Sequence, residues 1–245
     1  MKFQNKVALI TGASVGIGRA TAIEMAKEGA KLVLLDINEE TLAALKQELA
    51  AYTADILTYP CDISRQERVN EVIADALKIF GKVDILVNNA ALWRDRSAFV
   101  DVDMEVWKKY FDINVHGTAY VTQAVLPGML EREWGRIINV ASVAGVYGNA
   151  KMACYSATKG AVISFTKALA KEVSEKGVLV NAVSPGSVSP SDNPDIEYTQ
   201  PSQLSFMGRT GSDRENANLI CFLASDDASY ISGQNIQIDG CRKRQ

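Results

Sequence analysis

The apolar runs of this chain do not alternate with polar residues. Val7-Ala8-Leu9-Ile10 and Leu32-Val33-Leu34-Leu35 present nonpolar side chains at every position, and Val83-Asp84-Ile85-Leu86-Val87 at all but one. A strand made from such a run has no face left for water, so it belongs in a parallel sheet covered on both sides. The signal returns, with one or two polar residues in each run, at Ile56-Leu57-Thr58-Tyr59, 136–140 and 178–183, and a last strand is read at Asn235-Ile236-Gln237-Ile238. Between these runs, helical spacing predicts helices over 16–28, 39–49, 65–80, 155–175 and 213–224. A long helical region over 103–131 is expected to be interrupted near Gly117 and Pro127. Strands alternating with helices, joined by right-handed crossovers, give an α/β, doubly wound parallel sheet with helices on both faces.

With 245 residues, 47% of them hydrophobic, the chain suits one large domain, and no Pro/Gly/Ser-rich linker or internal repeat divides it. Within 1–245, residues 1–90 read as mainly cofactor-binding, 91–183 as a catalytic core and 184–210 as a substrate loop; about Ser184 to Gln203 is the one irregular stretch. A formal net charge of -3 with interspersed signs offers no basic face to nucleic acid, and Arg242-Lys243-Arg244 is too short to supply one. Small molecules or copies of the chain are the expected partners. Residues 1–10 lack the apolar core of a signal peptide, and no apolar run nears the roughly 20 residues of a membrane helix. A cytoplasmic protein is expected.

Cys61, Cys154, Cys221 and Cys241 form no CxxC pair, so no zinc site or redox motif is spelled out and free thiols are expected. The single histidine, His116, cannot assemble a Ser-His-Asp hydrolase or a multi-His metal site. No metal is expected.

Thr11-Gly12-Ala13-Ser14-Val15-Gly16-Ile17-Gly18 places glycines where a strand turns into a helix, so that backbone N–H groups can approach a pyrophosphate. Asp36, at the end of the second strand, sits where a carboxylate accepts bonds from ribose hydroxyls and repels a 2′-phosphate. Neither Val15 nor Ile37-Asn38 supplies a cation to offset that repulsion. NAD(H) is therefore favoured over NADP(H).

Tyr155 and Lys159 stand four apart, on one face of a helix, which brings the ammonium towards the phenol and is expected to lower the phenol's pKa from about 10. A phenol so tuned exchanges protons with an alcohol oxygen near neutral pH. Ser142, at the end of Arg136-Ile137-Ile138-Asn139-Val140-Ala141, can hold the same oxygen by a hydrogen bond.

Taken in order, Thr11 to Gly18, Asp62, Asn88-Asn89-Ala90, Asn114, Ser142, Tyr155, Lys159 and Pro185-Gly186 resemble the motifs of the short-chain dehydrogenase/reductase family over nearly the whole chain. The resemblance implies a Rossmann fold and a nicotinamide cofactor. It makes Tyr155 the acid/base, Lys159 its tuner and a ribose ligand, Ser142 the substrate-oxygen donor and Asn114 the holder of a water in a proton relay. By the same likeness Gly12, Ser14, Val15, Gly16, Ile17 and Gly18 meet the cofactor's phosphates, and Asp62 and Ile63 contact adenine. Asn88 and Ala90 then line the cofactor channel, and Pro185, Gly186 and Val188 flank the nicotinamide. Plainer roles compete: strand-end capping for Asn88 and Asn89, a helix kink for Asn114, an N-cap for Asp62. The chain departs from the family at Ala91, where glycine is common, and at Pro190, where many members carry a threonine that bonds the cofactor. Ser189 and Ser191 are the candidates to replace that contact.

Family placement surrounds the carbonyl with Trp93, Val146, Tyr147, Met152, Tyr198, Phe206 and Met207. An apolar, aromatic-lined cavity suits a bulky hydrophobic ketone or alcohol such as a hydroxysteroid or bile acid. The likeness is nevertheless strongest to bacterial 3-oxoacyl-(acyl carrier protein) reductases, with Arg132 and Lys176 near the places that bind an acidic carrier; those enzymes usually prefer NADPH, against Asp36. A hydroxysteroid-type dehydrogenase is placed first, the carrier-protein reductase second and a sugar-alcohol dehydrogenase third. A dinucleotide-binding sensor without catalysis would need only the first half of the motif set, so Asn114, Ser142, Tyr155 and Lys159 argue against it. Relatives imply a homotetramer built on the 103–131 and 155–175 helices.

Overall fold

The computed structural model describes residues 1–189 and 193–243. Seven strands form one parallel sheet in the order β3-β2-β1-β4-β5-β6-β7. They are β1 (Val7–Thr11), β2 (Lys31–Asp36), β3 (Ile56–Pro60), β4 (Ile85–Asn88), β5 (Gly135–Val140), β6 (Val178–Pro185) and β7 (Asn235–Ile238). The chain winds outward from β1 to β3, then returns to place β4 on the other side of β1. Between β1 and β4 the connections leave in opposite directions, which opens a crevice at the strands' C-terminal ends.

Each strand feeds two cores. Ala8, Ile10, Leu32, Leu34, Ile85, Val87 and Ile138 join one cluster, under α1 (Gly16–Lys27), α2 (Glu39–Leu49) and α8 (Asp213–Ala224). Their neighbours Val7, Leu9, Val33, Leu35, Leu86 and Ile137 join the other, under α3 (Gln66–Phe80), α5 (Thr118–Glu131) and α7 (Ala153–Val173). Successive side chains on a strand point to opposite faces, so a run that is apolar throughout is what two covering layers demand.

The 103–131 region is interrupted at Gly117, as expected, but by a π-helical turn, and it is not interrupted at Pro127. Helix α4 (Met104–Phe111) passes through a π-helical turn over Asp112–Gly117 straight into α5, and Pro127 lies inside α5. Gly117 also serves close packing, since a Cβ there would lie 2.7 Å from the Ile63 side chain. A short helix, α6 (Val143–Tyr147), follows β5 and was not foreseen. Past β6, the irregular segment is drawn in by bridges of Val188 to Gly211 and Pro201 to Arg209. No helix among the described residues is long and apolar enough to cross a membrane. All four cysteines are free, and the described residues hold no group of three or more potential metal ligands.

Helix α8 opens with a capping box, in which the Ser212 and Glu215 side chains each accept from the other's backbone N–H. Beside it, Asp213 is only 3% exposed. Burial pushes its carboxyl up from 3.8 to about 6, against an opposing pull from Arg19. A carboxyl whose folded pKa is raised contributes stability below its unfolded value and loses it as pH climbs through about 6. D213N should therefore raise Tm by a few degrees at pH 7.5, an advantage that shrinks towards pH 4. Melting curves across that range test this; a Tm difference independent of pH would contradict it.

Candidate active site

The glycine turn is built by close approach. β1 ends at Thr11, and Gly12 and Gly16 take φ of +59° and +57°, where a side chain is strained. A Cβ on Gly18 would sit 2.0 Å from the Gly12 carbonyl oxygen, and one on Gly12 would sit 2.7 Å from the Ala90 Cα. Asn89 clamps this turn: its amide donates to the carbonyls of Thr11 (3.1 Å) and Gly12 (2.8 Å), while the N–H groups of Asn89 and Ala90 donate to the Thr11 hydroxyl at 3.0 and 3.1 Å. Helix α1 begins beyond Val15 without a side-chain cap or an acid in its first turn. Bare N–H groups at a helix start, next to backbone no side chain covers, fit a dinucleotide's pyrophosphate. Val15 is exposed and Ser14 buried, while Ile17 packs against the α1-side core.

Asp36 leaves β2 towards the same turn. One carboxylate oxygen accepts from the Ser14 N–H at 3.0 Å and the other from the Asn38 N–H at 3.1 Å. The Thr41 hydroxyl in turn donates to Ser14 Oγ at 2.8 Å. This puts a fixed negative charge beside the glycine turn, where a ribose would lie.

Three expected contacts are redrawn. The Asn88 side chain turns inward, donating to Thr122 Oγ1 (3.0 Å) and Asn139 Oδ1 (2.9 Å), so it braces the sheet and leaves only the backbone of Asn88 to line the cofactor channel; Ala90 does stay against the turn. Asp62 accepts from both the N–H (3.0 Å) and hydroxyl (2.7 Å) of Ser64 and pairs with Arg65 at 3.8 Å, a local turn role. The Ile63 side chain is buried in the α3-side core, which leaves its backbone as what it can offer adenine.

Ser142, Tyr155 and Lys159 do converge. Ser142 ends the β5 segment and caps α6, accepting from the Ala144 N–H at 3.1 Å. Its hydroxyl lies close enough to the Tyr155 phenol to favour the phenolate. Burial is the larger effect, however, and the Tyr155 pKa is raised, contrary to the expected lowering. Lys159 does not offset it. Its Nζ donates to the Val140 carbonyl at 2.6 Å and lies 5.8 Å from the Tyr155 ring centroid. Fully enclosed, it is itself depressed to about 8. An ammonium has three donors, so the group remains able to bond a ribose hydroxyl as well.

Asn114 sits in the π-helical turn with its side chain spent on protein. It accepts from the Leu92 N–H (2.7 Å) and donates to the Leu92 carbonyl (2.9 Å) and Thr158 Oγ1 (3.0 Å). It therefore ties the loop after β4 to α7, and the expected water would have to be held by something other than this amide. Thr158 carries a structural part of the site that motif reading passed over, and Thr11, named only as the start of the glycine turn, carries another; Asn89 does serve the strand end, the plainer role read for it. For Thr11, its place between a strand end and the first glycine was the available signal.

On the nicotinamide side, Pro185 ends β6, and a Cβ on Gly186 would lie 2.7 Å from Asp239. Val188 is tied to Gly211. Ser189 is buried, its hydroxyl bonded to the Tyr198 carbonyl and placed 3.2 Å from Thr210 Oγ1. That hydroxyl holds the lid together and does not replace the missing threonine; Pro190 and Ser191 lie outside the described residues.

The substrate side is less apolar than expected. Trp93, Tyr147 and Tyr198 are each more than a third exposed, and the Tyr147 hydroxyl donates to Gln237 at 2.6 Å. A cavity of about 170 Å³ adjoins the site, but of the expected lining it has only Met152, joined by Asp95, Asp101 and Asp103. A larger groove of about 530 Å³, bordered by Tyr59, Arg68 and Asp75, lies at the β3 edge of the sheet, away from Tyr155. Arg132 donates to the Val83 carbonyl at 2.7 Å, just before β4, and Lys176 precedes β6. Both lie at the strands' N-terminal edge, opposite Ser142 and Pro185, and cannot flank the mouth of this site.

Residues 6–199 match the family model described as short chain dehydrogenase. The chain is 39% identical over 243 residues to 3-oxoacyl-[acyl-carrier-protein] reductase FabG of Thermotoga maritima, covering 98% of each. It is 33% identical to cyclohexanol dehydrogenase of an Acinetobacter species, covering 98% of this chain and 95% of that one. Among solved structures, NAD+-bound xylitol dehydrogenase is similar with a TM-score of 0.91 at 33% identity, covering 98% of this chain and 100% of the other.

The turn's dimensions generate a test. G18A should weaken dinucleotide binding by roughly 100-fold or more, because the added methyl must displace the Gly12 carbonyl from the surface that receives phosphate. Fluorescence titration with NADH measures this, and unchanged affinity would mean that the phosphates bind elsewhere.

Proposed function

The chain belongs to the short-chain dehydrogenase family and is an oxidoreductase of CH–OH groups that uses a nicotinamide dinucleotide; on that premise we propose that it interconverts a secondary alcohol and a ketone with NAD(H) as the preferred cofactor. The observation that carries the reading is the meeting of Ser142 and Tyr155, with the buried Lys159 one helical turn on and 5.8 Å from the Tyr155 ring centroid. The nicotinamide supplies or accepts the hydride. Ser142 and Tyr155 hold the substrate oxygen from two sides, and Tyr155 delivers or removes its proton. Lys159, bound to the Val140 carbonyl, brings positive charge to the enclosed site, where charge developing on the phenol is otherwise costly.

The preference for NAD(H) rests on Asp36. Its carboxylate is held by two backbone N–H groups, and a 2′-phosphate placed on the neighbouring ribose would meet it with like charge.

For the substrate we place a 3-oxoacyl thioester ahead of a hydroxysteroid. Support comes from the 39% identity to a 3-oxoacyl-carrier reductase and from the carboxylates in the adjoining cavity, which suit a sterol poorly. Carrier recognition through Arg132 and Lys176 is not part of the proposal. A cyclic or polyhydroxy alcohol is the second reading, favoured by Asp36 together with the likeness to an NAD+-bound polyol dehydrogenase. Self-association as a homotetramer is also proposed, supported by the exposed Phe99, Val100 and Met104 beside and on α4.

Turnover of 3-oxoacyl thioesters, cyclic ketones, polyols and steroids with NAD(H) and NADP(H) in parallel decides among these. Y155F should lose about 10²–10⁴-fold in kcat while still binding NADH; retained turnover would remove Tyr155 from the proton step. D36N keeps an acceptor for the Ser14 N–H but loses the charge, so NADPH should gain at least about tenfold in kcat/KM relative to NADH. An unchanged ratio would show that Asp36 is not the selector.

A further inference from the structure

The basic C-terminal segment is not a solvated tail. Arg242 forms an antiparallel bridge with Ser205. The N–H of Phe206 donates to the Cys241 carbonyl (2.9 Å), that of Met207 to the Gly240 carbonyl (3.2 Å) and that of Lys243 to the Leu204 carbonyl (2.9 Å). The tail is thereby stitched along the inner part of the substrate loop, with Lys243 Nζ 5.4 Å from the Phe206 ring centroid. Three residues before Arg242, Asp239 lies against Gly186 on the nicotinamide side.

From this position Arg242 reaches the other wall. Its guanidinium donates to Asn149 Oδ1 at 3.0 Å, and the Asn149 N–H donates to the hydroxyl of Ser156, the neighbour of Tyr155, at 3.2 Å. The segment between Ser142 and Tyr155 thus meets Gln237 and Arg242 at its Tyr147–Asn149 end. Its 151–154 end meets the acidic cavity wall formed by Asp95, Asp101 and Asp103. The cation and the carboxylates engage different ends of one segment.

Charge pairing separates Arg242 from the arginines packed around the substrate loop. Other arginines around the lid are neutralised: Arg19 by Glu48 at 2.7 Å, Arg209 by Glu215 at 2.6 Å, and Arg214 by Glu24 at 3.3 Å. Among the described residues neither Arg242 nor Lys243 has a carboxylate within ion-pair distance, and Arg242 bonds only a neutral amide. A guanidinium carries five N–H donors in a planar fork that matches a carboxylate or phosphate. Here most of that fork is unspent, half-buried, at the junction of lid and catalytic segment.

We propose that Arg242, assisted by Lys243, is a specificity-determining residue that receives an anionic group at the far end of the substrate while Ser142 and Tyr155 hold the oxygen at the reacting end. The inference rests on the alcohol/ketone reading above and narrows its substrates to those carrying a carboxylate or a phosphate.

The test uses the full chain and ketones CH3CO(CH2)nCOO⁻, with n from 2 to 8, beside their methyl esters. At the length that spans the site, the acid should exceed its ester by roughly tenfold in kcat/KM, mostly through KM, and added salt should reduce the preference. R242A should abolish it without slowing the esters, R242K should retain part of it, and N149A, which breaks the latch but keeps the cation, should preserve it. The inference is overturned if no acid is preferred at any length, or if R242A slows acids and esters alike, the mark of a purely structural clasp. If no ketone oxidises NADH, the functional reading falls by itself. The inference is then decided by thermal shift of the NADH complex with 7-oxooctanoate, where stabilisation lost in R242A supports it and stabilisation absent or unaltered rejects it.

Discussion

Two-sided burial of the sheet is the constraint from which the rest of the molecule follows. Strands with no wettable face need helices above and below, and right-handed crossovers then send every strand in the same direction. All strand C-termini consequently meet at one edge, where Thr11, Asp36, Asn88, Val140 and Pro185 end their strands. The glycine turn, the acid that faces it and the Ser142–Tyr155 pair come from segments far apart in sequence, yet they need no special device to be brought together. What the site adds is local: Asn89 to fix the turn, and Asn114 to fix the loop after β4 against α7.

The same constraint explains what was legible in the sequence. All seven strands and the glycine turn could be read, because uninterrupted apolar runs and a glycine-rich strand end are local signals. The roles of Asn88 and Asn89 were read less well, although strand parity held the answer. Leu86 faces the α5 side and Val87 the α1 side, so Asn88 must again face α5, where Thr122 and Asn139 wait for it. Asn89, just past the strand, is free to turn to Thr11 and Gly12. The contacts of Asn114 and Arg242 were illegible for another reason. Their partners, Leu92 and Asn149, lie 22 and 93 residues away, and no periodicity links them.

Tyr155 and Lys159 show how spacing can give the right residues and the wrong electrostatics. Four residues on a helix guarantee a shared face, but they do not fix where a long flexible side chain ends. The Lys159 ammonium takes the Val140 carbonyl, and both groups are enclosed, so desolvation disfavours the charged form of each: the phenol rises and the ammonium falls. The two shifts draw the pair apart, the phenol moving up from 10 and the ammonium down to about 8, so the enclosed site by itself favours the neutral form of both groups.

If Asp36 selects the cofactor as proposed, its rigidity matters as much as its charge. A carboxylate on a free side chain could swing away from an incoming 2′-phosphate and lose little. Here one oxygen is held by the Ser14 N–H, the other by the Asn38 N–H, and Ser14 is itself bonded by Thr41 from α2. Swinging the acid away would break two charge-assisted bonds and leave a buried N–H in the glycine turn unpaired. On the NAD(H) reading, discrimination therefore comes from the turn and the acid together: the bonds that shape the phosphate-binding backbone also hold the charge that rejects the extra phosphate.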